Sequence, residues 1–234
     1  MINVTDSFTN NSVIAIGDIH GRLDLFRAMM EKLRDTNATV ICLGDLIDRG
    51  PDDVGVLELA KALLNDPNSW GLNSFYVLRG NHEDMFLKAL EYEDYDLWID
   101  NGGAYDKLRE LHKHAGWMSA LPYYMTVGKT IFAHAGTPPG EDPATYMQSA
   151  YKREDFVWQR RTVKKGAKLR SWTKTYKQVV FGHTPEFGEW DEMTGMPYEV
   201  PGGICIDSGA VYTGVLTAYN VTNNTYVQVE SKLC

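Results

Sequence analysis

Five short stretches of the chain set carboxylates, amides or imidazoles beside glycine where an apolar run ends. They are Gly17-Asp18-Ile19-His20-Gly21, Gly44-Asp45-Leu46-Ile47-Asp48-Arg49-Gly50, Arg79-Gly80-Asn81-His82-Glu83, Ala133-His134-Ala135-Gly136 and Gly182-His183-Thr184-Pro185. Asp18, His20, Asp45, Asn81, His134 and His183 offer only oxygen and nitrogen donors, which suits manganese, iron or zinc rather than a thiolate site. A set this large has room for two ions that share a bridging carboxylate. Two metals ~3.5–4 Å apart can clamp the attacking and leaving oxygens of an in-line phosphoryl displacement. Each stretch alone is a weak signal, since Asn is common in turns for backbone reasons and a lone histidine is easily a satisfied core residue. The joint pattern is specific, because four of the six histidines stand at these glycine-marked ends. The other two, His112 and His114, lie in a charged helical stretch and are expected in solvent.

Such residues can converge only if the strands that carry them lie side by side. Residues 13–16, 40–43 and 75–78 read as short apolar strands. Helical spacing over 23–33, with Pro51 opening a helix over 52–64 and another start at 84–90, separates them. This alternation predicts parallel β-α-β units buried on both faces. In an open α/β sheet ligands bind beyond the carboxyl ends of the strands, which is where the five stretches fall. Residues 101–117 read as a loop entering a helix that stops at Gly116. Residues 123–127 and 130–133 flank Gly128-Lys129 as a hairpin. A helix-rich stretch spans 144–161, and 178–181, 204–206, 215–219 and 226–229 read as strands. The expected architecture is one α/β domain over residues 1–234, with two packed sheets and helices outside.

Apolar residues make up 44% of the 234, enough for a sizeable core, and the net charge is −8. That balance disfavours a broad nucleic-acid or membrane footprint, although bound cations can reverse the local field for an anionic substrate. No apolar run approaches the ~18 residues of a membrane span, and residues 1–11 carry no signal-peptide pattern. Cys42, Cys205 and Cys234 are sparse and odd in number, which fits a reducing, cytoplasmic setting. Cys42 and Cys205 read as small buried hydrophobes.

GDIHG at 17–21, GDLIDRG at 44–50, RGNHE at 79–83, HAG at 134–136 and GHT at 182–184 together resemble the phosphoprotein phosphatase family of metallophosphoesterases. The likeness extends from about Gly17 past Gly209. NGG at 101–103, WQR at 158–160 and IDSGA at 206–210 look most like its compact phage and bacterial branch. The resemblance implies a metallophosphoesterase-type four-layer α/β/β/α sandwich with two mixed sheets. It implies two divalent ions per chain, manganese first, with iron or zinc as alternatives. Carried over by motif, Asp18 and His20 hold the first metal, Asp45 bridges, and Asn81, His134 and His183 complete the second. His82 is then not a ligand but the acid that protonates the leaving oxygen, oriented by Asp48. Arg49 and Arg160 grip the phosphate. The implied reaction is hydrolysis of phosphoserine and phosphothreonine in proteins by direct attack of a metal-bridging hydroxide. Phosphotyrosine and small aryl phosphates are secondary substrates, and the partners are phosphoproteins acted on by a monomer.

The physics agrees with those roles. Serine alkoxide is a poor leaving group, so a general acid matters, and such catalysis contributes typically ~10²–10⁴-fold. Arginines add bidentate donors for phosphate oxygens. Other residues carry smaller roles or alternative readings. Arg79 touches phosphate or pairs with a carboxylate; Glu83 and Asp84 complement the dipole of a helix start; Asp207 orients a histidine ligand or shapes a turn. Tyr123, Tyr124, Trp158, Trp172 and Trp190 rim a groove or fill the core. Lys164, Lys165, Lys168 and Arg170 form a solvated basic run. The nearest rival is a dinucleoside tetraphosphate hydrolase, whose sequences usually lack the aspartate of Asp-Arg-Gly and have Asp after Asn-His. This chain has Asp48 and Glu83 at those places. A nucleic-acid phosphodiesterase lacks its basic stripe here, and a catalytically dead scaffold would have lost a ligand or the acid.

Overall fold

The structure is a computed structural model that describes residues 12–137, 153–160, 176–188 and 192–231. Ten strands lie among them: β1 (Val13–Ile16), β2 (Thr39–Cys42), β3 (Ser74–Val77), β4 (Tyr124–Val127), β5 (Thr130–Ala133), β6 (Gln178–Phe181), β7 (Tyr198–Val200), β8 (Gly203–Cys205), β9 (Val215–Asn220) and β10 (Thr225–Glu230). They form two mixed five-stranded sheets, ordered β10-β9-β1-β2-β3 and β4-β5-β6-β8-β7. The β1-β2-β3 and β5-β6-β8 runs are parallel, and the remaining pairs are antiparallel.

Side chains alternate across a strand, and both faces here are apolar. Ile14, Ile16, Val40 and Cys42 face the helices α1 (Leu23–Leu33), α2 (Asp53–Asn65) and α3 (Asn81–Tyr92). Their neighbours Ala15, Ile41 and Leu43 face Phe132, Val180 and Ile204 of the second sheet, and so build the core between the sheets. Ile131, Val179, Phe181 and Cys205 form a third cluster on the far face of the second sheet. Burying one such Val, Leu, Ile or Phe side chain contributes roughly 1.5–3 kcal/mol, so these layers fix both sheets relative to each other. The buried stripe of α1, Leu25, Phe26, Met29, Met30 and Leu33, closes the helix onto β9, β10 and α2.

Several local expectations are corrected. The helix after β3 starts at Asn81, not at Asp84. Residues 101–117 hold no single helix ending at Gly116. After the one-turn helix α4 (Asp96–Asp100), α5 (Leu108–His112) and α6 (Ala115–Ser119) follow as separate turns, and Gly116 lies inside the last. His114 is buried rather than solvated, with Lys61 2.7 Å from its Nδ1. Of the 144–161 stretch residues 153–160 are described, and among them Asp155–Trp158 is helix. Residues 144–152, the basic run 164–170, Trp172, Trp190 and Cys234 lie outside the described residues. Cys42 and Cys205 are buried free thiols.

Candidate active site

The carboxyl ends of β1, β2 and β3 meet those of β5 and β6 across the seam between the sheets. Asp18 and His20 follow β1, Asp45 and Asp48 follow β2, Asn81 and His82 open α3 after β3, His134 follows β5 and His183 follows β6. The turns are abrupt. His20, Asp45, Asp48, Arg49 and His183 all have positive φ, from +46° to +72°. Left-handed backbone at a non-glycine residue costs roughly 1–2 kcal/mol, a strain concentrated here at the residues that chemistry needs. Gly80 has an ordinary extended backbone, φ −97° and ψ 178°, which any residue could adopt. Its role is space: a Cβ there would collide with the backbone nitrogen and carboxylate of Asp45.

Asp45 is the centre of the cluster. Its Oδ2 lies 3.5 Å from His20 Nε2, 3.4 Å from His134 Nε2 and 3.9 Å from His82 Nε2, and its Oδ1 accepts the His82 backbone N–H at 3.0 Å. His20, Asp45 and His82 each offer a ligand atom within 4.8 Å of the others, and so do Asp45, His134 and His183. Asp45 belongs to both groups, as a bridging carboxylate must. Asp18 stands beside them rather than inside either. Its carboxylate accepts the His183 backbone N–H at 3.1 Å and lies 4.0 Å from His134 Nδ1.

Ring hydrogen bonds assign the tautomers. His20 Nδ1 donates to the Ile47 carbonyl at 3.0 Å and His134 Nδ1 to the Leu43 carbonyl at 3.2 Å. A carbonyl can only accept, so each Nε2 is left with its lone pair aimed into the site. His134 Nε2 faces Asn81 Oδ1 at 2.8 Å and His183 Nδ1 at 3.3 Å, and His183 Nδ1 is 2.9 Å from the same amide oxygen. Lone pairs thus converge with too few protons between them. A cation resolves that arrangement, and the donor set fits a divalent metal of the manganese, iron or zinc kind.

Charge sorts the four histidines. Burial pushes His20 and His134 below the usual imidazole range, and burial together with His134 takes His183 down to about 3. All three are driven to the neutral form that ligates metal. His82 goes the other way: burial opposes protonation, but the carboxylates of Asp45 and Asp48 outweigh it. Burial also opposes ionisation of Asp45, yet the imidazoles of His134, His82 and His20 hold it well below the usual carboxylate range. Asp18 is pushed well up by burial and by the charges of Asp207 and Asp45. Buried carboxylates crowded this closely repel one another until a cation joins them.

His82 Nδ1 meets Asp48 Oδ2 at 2.8 Å. Its Nε2 is buried and has no hydrogen-bond partner among the described residues. Asn81 and His82 are consecutive helical residues, so their side chains diverge by about 100°. Asn81 turns to His134 and His183, and His82 to Asp48 and the edge of the His20 ring.

The arginines lie at the rim. Arg49 is exposed, with Nη1 2.8 Å from His20 Nε2 and Nε donating to the Asn101 carbonyl at 3.2 Å. Arg160 is exposed and close enough to His183 for its charge to oppose protonation of that ring. Arg79 turns away from the site. It pairs with Asp84 at 3.6 Å, donates to Tyr123 Oη and binds the Ser119 carbonyl, so the carboxylate-partner reading holds. Asp207 takes the turn reading, accepting the Gly209 N–H at 2.8 Å beside Asp18. Tyr124 stacks on Phe156, and Trp158 packs on the core with its ring edge toward His183.

Residues 12–210 match the calcineurin-like phosphoesterase family. The chain belongs to that family. A serine/threonine-protein phosphatase 1 of Salmonella typhimurium is 32% identical over 88% of this chain and 89% of its own length. An asymmetrical bis(5'-nucleosyl)-tetraphosphatase, PrpE, of Oceanobacillus iheyensis is 26% identical over 93% of this chain and 91% of its own. Among solved structures, a Saccharomyces cerevisiae protein serine/threonine phosphatase superposes with a TM-score of 0.61 at 17% identity, covering 95% of this chain and 81% of that one. That likeness shows the α/β fold with its two mixed sheets. The expected resemblance to the phosphoprotein phosphatases is borne out as family membership, and the chain is a metallophosphoesterase with His/Asp groups able to hold metal.

Two residues of this metallophosphoesterase site escape a reading of the sequence. Glu83 does not merely start α3. Fully buried, its carboxylate accepts the backbone N–H groups of Gly80 at 2.7 Å, Asp45 at 3.0 Å and Leu46 at 2.7 Å. Trp98, also fully buried, donates its indole N–H to Asp48. The only signal for Glu83 is its place after Asn-His; Trp98 has none.

Proposed function

We propose that the chain hydrolyses phosphoserine and phosphothreonine in proteins, with phosphotyrosine and small aryl phosphates as secondary substrates. The observation that carries this reading is the buried His82–Asp48 pair, 2.8 Å apart, with Nε2 free of any hydrogen bond among the described residues and turned into the ligand cluster. A built acid is needed where the leaving group is an alkoxide. A nucleotide leaving a polyphosphate is already a stable anion and needs none, so the pair favours a phosphomonoester over a dinucleoside polyphosphate.

Asp18, His20 and Asp45 would hold one divalent ion, and Asp45, Asn81, His134 and His183 the other. Such ions supply Lewis acidity and a more acidic attacking water. Asn81 ligates without adding negative charge to a site that must accept a dianion. Arg49 and Arg160 supply N–H donors for phosphate oxygens. Water attacks phosphorus, the bond from phosphorus to the serine oxygen breaks, and the Nε2 proton of His82 passes to that oxygen. The products are the free hydroxyl and inorganic phosphate. A groove of about 790 Å3 opens beside Arg49, lined by Arg22, Arg27, Pro51, Asp52 and Val211; it offers room for polypeptide flanking the phosphate.

The distances alone would also admit His82 as a ligand with His20 and Asp45. His82→Asn separates the two roles. The expected outcome is a ~10²–10⁴-fold fall in turnover of a phosphoserine peptide with metal content unchanged; loss of metal would make His82 a ligand. The tetraphosphatase relatives support a second reading. Side-by-side turnover of the phosphopeptide and diadenosine tetraphosphate decides between them, and a strong preference for the dinucleotide would overturn the first.

A further inference from the structure

We propose that Trp98 is a positioning residue for the leaving-group acid, and that residues 98–103 hold the acid and the phosphate grip as one unit. The inference rests on His82 acting as the acid. Asp48 is fully buried and would be free to rotate if His82 were its sole partner. The indole Nε1–H prevents this by donating to both carboxylate oxygens, at 2.9 Å to Oδ1 and 3.0 Å to Oδ2. The plane of the carboxylate is thereby set, and with it the direction in which Oδ2 receives His82 Nδ1. The indole is itself held. Phe86 packs edge-on at 5.2 Å between ring centroids, Tyr95 lies at 6.4 Å, and the Gly103 N–H donates to the Trp98 carbonyl at 3.0 Å.

The turn that follows grips the next residue. The Arg49 N–H donates to the Gly102 carbonyl at 3.0 Å, and Arg49 Nε to the Asn101 carbonyl. Asp48 and Arg49, adjacent and both left-handed, are therefore fixed by one segment, the carboxylate by an indole, the Arg49 backbone by the Gly102 carbonyl and its guanidinium by the Asn101 carbonyl. Gly103 shows how tightly. Unlike Gly102 it has no positive φ, yet a Cβ there would collide with the indole ring at its nitrogen end. A neutral donor suits this role, because an arginine in place of Trp98 would neutralise Asp48 and weaken its hold on an imidazolium.

A buried Trp N–H usually finds some partner, so the test must separate positioning from mere satisfaction. The metal-loaded full chain is assayed on aryl phosphates whose leaving phenols run from strongly to weakly acidic. With a working acid the rate depends weakly on that acidity. In Trp98→Phe the dependence should steepen, with a loss of roughly 10-fold or more on the weakest phenol and under about 3-fold on the strongest, a part of the ~10²–10⁴ a general acid supplies. Gly103→Ala, which keeps every side chain of the pair, should do the same and carries the test should Trp98→Phe not fold. Metal content should match wild type in both. In the Asp48→Asn background Trp98→Phe should add no further steepening. Equal losses on all phenols, or no loss, would overturn the proposal. His82→Asn is the control: if it does not steepen the dependence, the acid reading itself falls; if it does while Trp98→Phe and Gly103→Ala do not, only the role of Trp98 falls.

Discussion

At the scale of residues, the four site histidines differ in what fills their Nδ1. Backbone carbonyls accept from His20 and His134, a carboxylate accepts from His82, and His183 turns its Nδ1 into the cluster. A carbonyl fixes a tautomer, whereas a carboxylate also favours the charged ring. The sign of a pH effect follows. The pKa of His82 is raised, so activity that needs its proton is present below that pKa and lost as pH rises through it. Asp48→Asn removes the nearest negative charge, and the alkaline limb of log kcat against pH should move to lower pH than in wild type. The candidate ligands are legible in the sequence, because each sits within four residues of a strand end marked by glycine. Glu83 and Trp98 are not, since Leu46 and Asp48, which they bind, lie 37 and 50 residues away along the chain. Nor is the buried state of His114, which depends on a lysine 53 residues upstream.

At the scale of elements, Glu83 staples two strand ends. One carboxylate at the start of α3 takes the N–H of Gly80 after β3 and those of Asp45 and Leu46 after β2. Backbone that leaves a sheet loses its ladder partners, and buried N–H groups must find others. Glu83→Ala would strand three of them, at ~1–3 kcal/mol for each unsatisfied group. The expected outcome is a lower denaturation midpoint together with substoichiometric metal, read by urea titration and by elemental analysis. Glu83→Gln should fall between that variant and wild type. Parallel strands announce themselves as short, largely apolar runs, so β1, β2, β3 and β6 are legible to within a residue of their ends. β7 is not, because Tyr198-Glu199-Val200 is three residues long, at a sheet edge and partly exposed. The single helix expected near Gly116 divides because tertiary contacts of His114 and Trp117 with Lys61 override local propensity there.

At the scale of the whole molecule, the candidate metal centre joins two sheets. Asp18, His20, Asp45 and Asn81 hang from the first, and His134 and His183 from the second. Ions held by both should act as bolts across the apolar seam. At free metal 100-fold above its Kd one bound ion adds ~2.7 kcal/mol, roughly 5–11 °C in a domain of this size. Chelation should lower the melting temperature by that order, and readdition of manganese, iron or zinc should restore it; an unchanged melting point would mean that the ligands do not load. The two-sheet plan is legible as a class, but the strand order is not, because β1 takes its second neighbour from residues 215–220 near the other end of the chain. That order has a consequence for synthesis. A chain emerging N-terminus first has all six candidate ligands outside the ribosome once His183 has passed, yet β1 still presents an open edge and the turn carrying Asp18 and His20 has no frame on one side. The inventory of donors is complete before the geometry that aims them, so loading belongs to the finished chain rather than to the nascent one.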